Sequence, residues 1–573
     1  MSFEINPLHL IDSYKLNHVH MYPEGTDYVY SNFTARSPKH FNNANGTKIN
    51  FTVFVGLQSM LQELHELWDE NFFKLSWEDV EHKYKRRIRG ISGKEMDVSH
   101  AKRLHEVGFL PIQVMALKEG SLVPIGVPYF TVVTTMPGHG WLTNYLEDVF
   151  SNGNWKMINN ATTAYIMRKI IDDYAEKTGA VKDMSKWLGH DFSFRGMSTW
   201  HDGIRNSFAH LTSFAGSDTV SGIDFAEYYY GADVDTQLVS GSVPASEHSV
   251  ACSFGQNGEI DYLDQLLKKY PDGIFSIVSD TWDFFNFITV VAMKRKDEIM
   301  SRNGKVVFRP DSGDPADILC GIKVQVLGYT GDDFEEWKEW VAEDLDTDFR
   351  VDFESESPYH SISGVYTFKG KHYEVVYEPD LNRHDKKYYY VDNWGTTLDK
   401  CTFKEIILSP EQKGAVQLLW EQFGGTINEK GYKTLDSHVG LIYGDSISIK
   451  KMDEILRRLK DKGFTSDNVV FGIGSYTYNM HSRDTFGMAM KATYVEIDGV
   501  GYAIQKDPAT GDGTKKSAKG LLNVFKEDGE YVLYDHQAEL SVDSELKLVY
   551  INGCFLNKVS LEDIRKNLHG DNF

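Results

Sequence analysis

The sequence predicts an α/β fold whose parallel strands end in polar segments suited to a binding site. Two observations support this prediction. Between about residues 270 and 480, short apolar strands alternate with segments of helix length, and each strand is followed by Gly, Asp or Ser. The 573 residues are 41% hydrophobic and 25% charged, as expected for a globular chain of more than one domain. This alternation is typical of an α/β barrel or of an open parallel sheet.

The first strand and helix of this region begin near residue 275. Phe275–Ser279 has the short apolar pattern of a buried strand, and Asp280 follows it directly. Trp282–Met300 is an apolar-rich segment long enough for a helix. The next predicted strand, Lys305–Phe308, leads into the segment Arg309–Pro315, which reads Arg-Pro-Asp-Ser-Gly-Asp-Pro. The two strands are therefore expected to present Asp280 and the start of this segment at their carboxyl ends.

A second repeat of the pattern starts at residue 439. The apolar strand Val439–Tyr443 leads into Gly444 and Asp445. Ile449–Lys462 has apolar residues at helical spacing and is followed by a glycine, which predicts an amphipathic helix with a glycine cap. The strand Asn468–Phe471 then leads into Gly-Ile-Gly-Ser.

Two regions depart from this alternation. Residues of about 320–405 interrupt it, and we interpret them as a small insert. Within it, Gly331–Leu345 predicts an acidic amphipathic helix and Val365–Tyr377 predicts a β-hairpin. Residues 1–150 alternate strands and helices with a different rhythm, and the end of the chain predicts a hairpin and a helix with Ser560 as its N-cap.

Charge and cysteine usage argue against several classes of protein. The 60 Lys and Arg against 83 Asp and Glu give a net charge of −23, which disfavours general binding to nucleic acids or anionic membranes. The four cysteines lie far apart, which favours a reducing compartment over a disulfide framework or a Cys-based zinc site. The N-terminal residues lack the pattern of a signal peptide, and no stretch approaches 18 uninterrupted apolar residues. We therefore expect a soluble, cytoplasmic protein.

Three segments carry side chains suited to a phosphorylated ligand, each with a plainer alternative. Arg309 can clamp a phosphate, and Asp311 can bind a ribose hydroxyl or a magnesium-bound water, unless the segment is only a turn that ends a strand. The backbone near Gly474 can donate to a phosphate, unless it forms only a tight turn. Phe192 and Arg195 suit a flat heteroaromatic ligand on a phosphorylated sugar, unless they are a core ring and a surface cation.

Two further residues could take part in chemistry. His248 follows a glutamate in a segment of small residues, and it could act as a general base or as a phosphoryl acceptor. The alternative is a buried histidine bonded to a backbone carbonyl. Asp218 could accept a hydrogen bond from the amide group of a ligand, or it could cap a helix.

Taken together and in this order, these motifs resemble the nicotinamide phosphoribosyltransferases, a family of type II phosphoribosyltransferases. The likeness runs from about residue 5 to about 568, apart from the insert, and rests on NPLHLIDSYKLNHVHMYP, HDFSFRG, GSDTVSG, GSVPASEHS, VSD, FRPDSGDP, YGDS and FGIGS. It implies an irregular (β/α) barrel domain over 151–489, which carries the insert, and an α/β domain built from 1–150 and 490–573. It also implies a head-to-tail homodimer with shared active sites.

The resemblance implies a reaction and the residues that serve it. The 5-phosphoribosyl group of 5-phosphoribosyl-1-pyrophosphate would pass to nicotinamide in NAD salvage, giving nicotinamide mononucleotide and pyrophosphate. The amide of nicotinamide would bind Asp218, and its ring would stack between Phe192 and Tyr14, the latter from the partner subunit. Magnesium would be held mainly by the pyrophosphate, near Asp311, with no direct protein ligand. ATP would phosphorylate His248, whose imidazole Asp280 would orient.

The remaining implied roles concern catalysis and anion binding. The implied catalytic residues are His248, Asp280, Arg309 and Asp311. The other implied substrate-binding residues are Arg195, Pro310, Gly444, Asp445, Gly474, Ser475 and Arg483. The partner subunit would supply three phosphate-binding cations, Arg36, Lys491 and Lys506.

The sequence departs from the family in two places, and three other functions are alternatives to the one the resemblance implies. Ser475 and Tyr476 replace the last two glycines of the family's G-x-G-G-G loop, and the insert is the second departure. The nearest alternative function is nicotinate phosphoribosyltransferase, but Asp218 would repel the carboxylate of nicotinate by roughly 1–4 kcal/mol. A non-catalytic binding protein would not need to keep these polar side chains together. A general ATPase lacks support because the chain has no Walker motif.

Overall fold

The computed structural model describes residues 5–41, 49–325, 327–353, 361–378, 381–383, 389–391, 396–444, 447–506, 517–571 and 573. The chain divides into two units, each compact in itself. The first unit comprises Met1–Pro244, Ile442–Leu456 and Thr465–Phe573, and the second comprises Ala245–Leu441 and Arg457–Phe464. Because compactness alone defines these units, the domain boundaries at 150 and 489 stay a prediction.

The first unit contains a seven-stranded antiparallel sheet formed by the beginning and the end of the chain. The strand Thr26–Thr34 pairs with Ala489–Ile497 on one side and with Pro128–Thr134 on the other. The order across the sheet is Val500–Ala503, Ala489–Ile497, Thr26–Thr34, Pro128–Thr134, Ile112–Ala116, Lys547–Ile551 and Cys554–Phe555. Two antiparallel strand pairs accompany it, Phe51–Phe54 with Ser121–Pro124 and the hairpin Leu521–Glu527 with Glu530–Gln537. This sheet is the α/β part that the sequence predicts from its two ends.

Helices cover this sheet and complete the core of the first unit. Leu57–Trp68 buries Leu57, Leu61, Leu64 and Trp68, whose spacing of three and four residues places them on one face. The other α-helices of nine or more residues that lie wholly within the described part of this unit are Trp77–Ser92, Ser99–Val107, Glu147–Thr178, Trp200–Leu211, Ser221–Tyr230 and Leu561–His569. The last begins after Ser560, whose hydroxyl accepts from the Asp563 N–H, so the predicted cap is confirmed.

Each unit also contains parallel strands, which confirm the predicted α/β class. In the first unit, Gly189–Asp191 pairs in parallel with Gly216–Ser217 and with Val469–Ile473. In the second unit, Asn303–Arg309 pairs in parallel with Asp272–Val278 and with Val439–Tyr443. All four strands predicted between 270 and 480 are present, with bounds that differ by at most three residues. The predicted helix after residue 449 is Ile449–Asp461.

The segment predicted as one helix over Trp282–Met300 is irregular. It consists of an α-helical turn Phe284–Asn286, a π-helical turn Phe287–Val291, a 3-10 turn and the α-helix Lys296–Met300. The Thr289 hydroxyl donates to the carbonyl of Phe285 at 2.6 Å. Such a bond competes with the regular hydrogen bond of the helix and bends it.

The insert folds around a small core of its own in the second unit. Its helix is Phe334–Phe353, and its sheet has the order Val324–Gln325, Ile362–Phe368, Lys371–Tyr377 and Cys401–Ile406. The helix begins later than predicted because the Asp333 carboxylate accepts from the N–H groups of Glu335 and Glu336. The predicted hairpin is confirmed, and its two-residue turn uses the left-handed conformation at Lys369 and Gly370. The core residues are Trp337, Val341, Leu345, Tyr366, Tyr373, Val375 and Tyr377.

The remaining helices of the second unit are short. Those described are His248–Cys252, Glu259–Lys269, Pro315–Cys320, Pro410–Lys413 and Ala415–Phe423. None of the helices in the described part of the chain is both long and apolar enough to cross a membrane.

Candidate active site

The strand Gly189–Asp191 places consecutive side chains on opposite sides of the first unit's parallel sheet. His190 and Phe192 lie on the same side, with ring centroids 5.0 Å apart, and Asp191 points into the interior. A Cβ atom at Gly472 would lie 2.5 Å from the Phe192 ring. Glycine at 472 is therefore required for the close approach of this ring, which the sequence does not reveal.

Asp191 is a fully buried carboxylate that joins two loops of the site. Its Oδ1 accepts from the N–H and hydroxyl of Ser193 at 3.0 and 2.6 Å. Its Oδ2 accepts from the hydroxyls of Ser217 and Thr219 at 3.0 and 3.1 Å. The loop that carries Arg195 and the loop that carries Asp218 are thus held by one side chain. Sequence analysis missed this residue because its partners lie in two separate motifs.

Asp218 is a half-exposed carboxylate with two donors on one oxygen. His190 Nε2 lies 2.8 Å from Oδ1, and the Ser242 hydroxyl donates to the same oxygen at 2.6 Å. A carboxylate oxygen only accepts, so Nε2 of His190 carries the hydrogen. The helix Ser221–Tyr230 has Val220 as its N-cap, so the helix-cap interpretation of Asp218 is wrong.

The Gly-Ile-Gly-Ser loop lies against the loop of Arg195. Ser475 packs so tightly on Gly196 that a Cβ atom there would overlap its hydroxyl. Ser475 and Tyr476 form the first turn of the helix Ser475–Asn479, and neither has a positive φ. The two replaced glycines therefore introduce no backbone strain. Gly444 lies near Gly472, whereas Asp445 lies outside the described residues.

His248 and Asp280 form a pair in the second unit. His248 Nε2 lies 3.2 Å from Oδ1 of Asp280, whose side chain is 4% exposed. Oδ2 of Asp280 accepts from the Asp311 N–H at 2.8 Å and from the Ser312 hydroxyl at 2.7 Å. Asp280 thus links the histidine to the Arg-Pro-Asp-Ser segment. The His248 side chain is 46% exposed, so its interpretation as a buried structural histidine is wrong.

The segment Arg309–Pro315 divides into two parts with different roles. Arg309 ends its strand with a buried Nε that has no hydrogen-bond partner in the described chain, and Pro310 beside it is buried. A buried guanidinium N–H in this state calls for an acceptor such as a phosphate oxygen. Asp314 instead caps the helix Pro315–Cys320, accepting from the Ala316 and Asp317 N–H groups. The turn interpretation therefore holds only for this second part.

Five of the predicted site residues line one cavity of the first unit, of about 740 Å³. They are Tyr14, Arg36, Arg483, Lys491 and Lys506. Arg483, predicted to act with the residues of its own subunit, thus lies with the four residues predicted to act across the dimer.

The cations of this cavity are crowded and partly desolvated. Burial lowers the pKa of Lys491, and the neighbouring Arg36, Lys506 and Lys15 lower it further against the opposing effect of Glu147. Burial and Arg483 also lower the pKa of Arg36. The Glu147 carboxylate lies 3.7 Å from Lys491 and 3.0 Å from the buried Lys15. Such a cluster favours an anionic ligand, because an anion relieves the repulsion among the cations.

No group of three or more His, Cys, Asp or Glu side chains suited to a metal ion occurs within the described ranges. A protein built this way can bind magnesium through the oxygens of a phosphorylated ligand.

The fold and these sites define a phosphoribosyltransferase, because cations around an open cavity suit the phosphates and a carboxylate beside aromatic rings suits a flat base. The chain belongs to the nicotinate phosphoribosyltransferase family, whose profile matches residues 188–350 and 401–553. The profile of the N-terminal domain of nicotinamide phosphoribosyltransferase matches residues 6–68. The family and the enzyme class predicted from the motifs are confirmed. The unmatched residues 351–400 fall within the insert.

Relatives with curated names match nearly the whole chain. A nicotinamide phosphoribosyltransferase of Acinetobacter baylyi is 40% identical over 99% of this chain and 98% of its own. One of Mycoplasma pneumoniae is 27% identical over 89% of this chain and 94% of its own. Among solved structures, nicotinate-nucleotide pyrophosphorylase from Pyrococcus furiosus is 13% identical, with a TM-score of 0.49 over 99% of this chain and 96% of that one.

Proposed function

We propose that this enzyme transfers the 5-phosphoribosyl group of 5-phosphoribosyl-1-pyrophosphate to nicotinamide, giving nicotinamide mononucleotide and pyrophosphate in NAD salvage. The observation that carries the proposal is the Asp218 carboxylate, held by two donors near the Phe192 ring. An anionic acceptor pairs with the amide N–H₂ of nicotinamide and repels the carboxylate of nicotinate. The 40% identity to a nicotinamide phosphoribosyltransferase over nearly the whole chain supports the same base.

The base would be held by stacking and by one directional hydrogen bond. Its ring would lie on Phe192, with Tyr14 of the partner subunit on the other face. Tyr14 is exposed in the single chain, as a ring reserved for a neighbouring subunit would be. The domain division at 150 and 489 and the head-to-tail dimer belong to this proposal.

The phosphoribosyl group and the pyrophosphate would be held by two groups of residues. Arg195, Gly444, Asp445, Gly474 and Ser475 would hold the ribose and its 5′-phosphate, and Arg309, Pro310 and Asp311 would face the phosphoribosyl group. Arg36, Lys491 and Lys506 of the partner subunit, together with Arg483, would complete the anion pocket and hold the pyrophosphate as it leaves. Displacement at the anomeric carbon passes through an oxocarbenium-like state, so fixed cations on the leaving group and carboxylates near the ring lower the barrier.

Magnesium would arrive with the pyrophosphate and neutralise the charge that develops on it. Asp311 is suited to this ion because the hydrogen bond from its N–H to Asp280 fixes its backbone. Its carboxylate also lies two residues after Arg309, which is proposed to face the phosphoribosyl group. It would hold the ion through bound water.

We propose in addition that ATP stimulates the enzyme by phosphorylating His248. Because Nε2 faces Asp280, Nδ1 would be the nucleophile. It would attack the γ-phosphorus, the bond to the bridging oxygen would break, and ADP would leave. Asp280 would stabilise the imidazole during this step. His248→Ala should abolish the ATP hydrolysis that depends on the presence of nicotinamide. Unchanged hydrolysis in this variant would refute the proposal that His248 is phosphorylated.

The reaction itself is tested with purified protein, 5-phosphoribosyl-1-pyrophosphate, magnesium and nicotinamide, with mononucleotide and pyrophosphate quantified. Equimolar formation of both products is expected, and Arg309→Ala should reduce it strongly at unchanged thermal stability. A parallel reaction contains nicotinate in place of nicotinamide. If only this reaction yields a mononucleotide, the family assignment stands but the proposal that nicotinamide is the substrate is wrong. No product from either base would overturn the enzymatic assignment of these residues.

The shared active site is tested by mixing two inactive variants. Phe192→Ala removes the ring proposed to stack on nicotinamide, and Lys491→Ala removes a cation proposed to come from the partner subunit. After dissociation and reassembly, an equal mixture should regain about a quarter of the wild-type activity, because half of the dimers carry one intact site. Absence of any recovery in mixed dimers would place both residues in the same subunit's site.

A further inference from the structure

We propose that His190 determines the specificity of the base subsite by acting through Asp218. Its Nε2–H, together with the Ser242 hydroxyl, holds the Asp218 carboxylate in the orientation that accepts an amide and rejects a carboxylate. This inference rests on the proposed function of the site and names the residues that make Asp218 selective.

The contacts of Asp218 carry the first step of the argument. Two donors from separate segments, the strand Gly189–Asp191 and the loop at Ser242, meet on its Oδ1 at 2.8 and 2.6 Å. The carboxylate is 45% exposed, so an unrestrained side chain would sample several rotamers. Two donors on one oxygen fix the plane of the carboxylate. A fixed acceptor discriminates between ligands more strongly than a mobile one, because the wrong ligand cannot be accommodated by rotation.

The surroundings of His190 make it a rigid donor. Its ring packs on Phe192 with centroids 5.0 Å apart and an angle of 56° between the planes. On the other side, a Cβ atom at Gly216 would lie 2.6 Å from Nδ1, so only glycine admits the ring in this position. The same histidine therefore touches the ring proposed to stack on the base and the carboxylate proposed to bind its amide.

The chemistry of the donor matters as much as its position. Lysine or arginine at 190 would form an ion pair with Asp218 and cancel the negative charge that repels nicotinate. An imidazole ring can donate this hydrogen bond through Nε2–H without having to be a cation. A donor of this kind thus orients the acceptor without weakening its selectivity.

The test is a double-mutant cycle with steady-state kinetics for nicotinamide and nicotinate. His190→Leu removes the donor, and His190→Gln keeps a neutral N–H donor of similar reach. His190→Leu should raise the KM for nicotinamide about 10-fold and narrow the preference over nicotinate, whereas His190→Gln should stay within about threefold of wild type. In the Asp218→Asn background, His190→Leu should add less than about a twofold change, because its partner is already altered.

The outcomes separate this inference from the proposed function. A wild-type enzyme that makes no nicotinamide mononucleotide refutes the proposed function. An active wild type in which His190→Leu has the same effect with and without Asp218→Asn refutes the action through Asp218, as does a failure of His190→Gln to restore selectivity. If His190→Leu does not fold, Ser242→Ala replaces it, since Ser242 lies in an exposed segment. Ser242→Ala should raise the KM for nicotinamide by less than His190→Leu, and this rise should disappear in the Asp218→Asn background. A rise in KM that persists in that background refutes the inference.

Discussion

Removal of the Asp191 carboxylate is expected to destabilise the enzyme and to loosen two loops of its active site. The side chain is fully buried and accepts four hydrogen bonds from Ser193, Ser217 and Thr219. In Asp191→Ala the Ser193 N–H loses its partner in the interior, which alone costs about 1–3 kcal/mol. The three hydroxyls can rotate toward other acceptors, so their loss adds less. We expect the free energy of unfolding to fall by about 2–4 kcal/mol.

Asp191→Asn is the matched control for this change. Its amide oxygen can still accept from the Ser193 N–H, and its N–H₂ group can donate to the hydroxyls of Ser217 and Thr219, which then reverse. The hydrogen-bonded geometry is kept and only the charge is lost, so a cost of about 1 kcal/mol is expected. The KM for nicotinamide should rise clearly more in the alanine variant than in the asparagine variant, because only the former removes the side-chain bonds that hold the loop of Asp218.

Urea unfolding of the two variants, followed by fluorescence, and KM measurements at a temperature where both are folded provide the assay. Equal destabilisation by alanine and asparagine would refute the hydrogen-bond argument and assign the effect to charge. An alanine variant within about 0.5 kcal/mol of wild type would refute any structural contribution of this carboxylate.

Three further predictions concern buried or partly buried ionisable side chains elsewhere in the first unit. Burial lowers the pKa of four histidines to about 4 or, for the last, about 3: His100, His210, His481 and His569. These side chains are neutral in the folded protein and take up a proton on unfolding below a histidine's ordinary pKa of about 6.5. The free energy of unfolding should therefore be constant above pH 6.5 with respect to these groups, and it should decrease by up to about 1.4 kcal/mol per pH unit and group as the pH is lowered further. Urea midpoints that stay constant from pH 7.5 to 4.5 would contradict this. Arg565 is buried and donates to four backbone carbonyls, so Arg565→Met should cost about 3–5 kcal/mol in urea unfolding, and Arg565→Lys should recover only part of this. Glu147→Gln removes the carboxylate beside Lys15 and Lys491, so inorganic pyrophosphate should bind a few-fold more tightly in calorimetry, and weaker binding would refute its role as their counter-ion.

The elements that the sequence predicted best are those whose signal is local. The apolar strand Val439–Tyr443 has its predicted bounds, and the hairpin of the insert forms at the expected turn. His248 and Asp280 were paired by resemblance, and the structure places them 3.2 Å apart. The helix predicted over Gly331–Leu345 starts three residues later and ends eight residues later than predicted, at Phe334 and Phe353. Its start depends on the side chain of Asp333 and not on apolar spacing.

The features that sequence analysis missed depend on contacts between distant segments. Asp191 holds residues 26 and 28 positions away, and neither motif alone shows that they share an acceptor. His190 has no predicted role, although its Nε2 lies 2.8 Å from Oδ1 of Asp218, because the two residues belong to separate motifs. Arg483 lines the same cavity as Arg36 and Lys506, an arrangement the sequence does not show because Arg36 lies far from the other two in the chain. The position of Asp191, a charged residue directly before the predicted site residue Phe192, is the sequence signal that could have identified it.

The central claim, that this enzyme selects nicotinamide through Asp218, is tested most directly by competition. Equal concentrations of nicotinamide and nicotinate are supplied with limiting 5-phosphoribosyl-1-pyrophosphate and magnesium, and both mononucleotides are quantified from the same reaction. Wild type should yield almost only nicotinamide mononucleotide, and Asp218→Asn should shift the ratio toward nicotinate by about 10-fold or more. A product ratio near one in wild type, or the same ratio in both proteins, would contradict the claim.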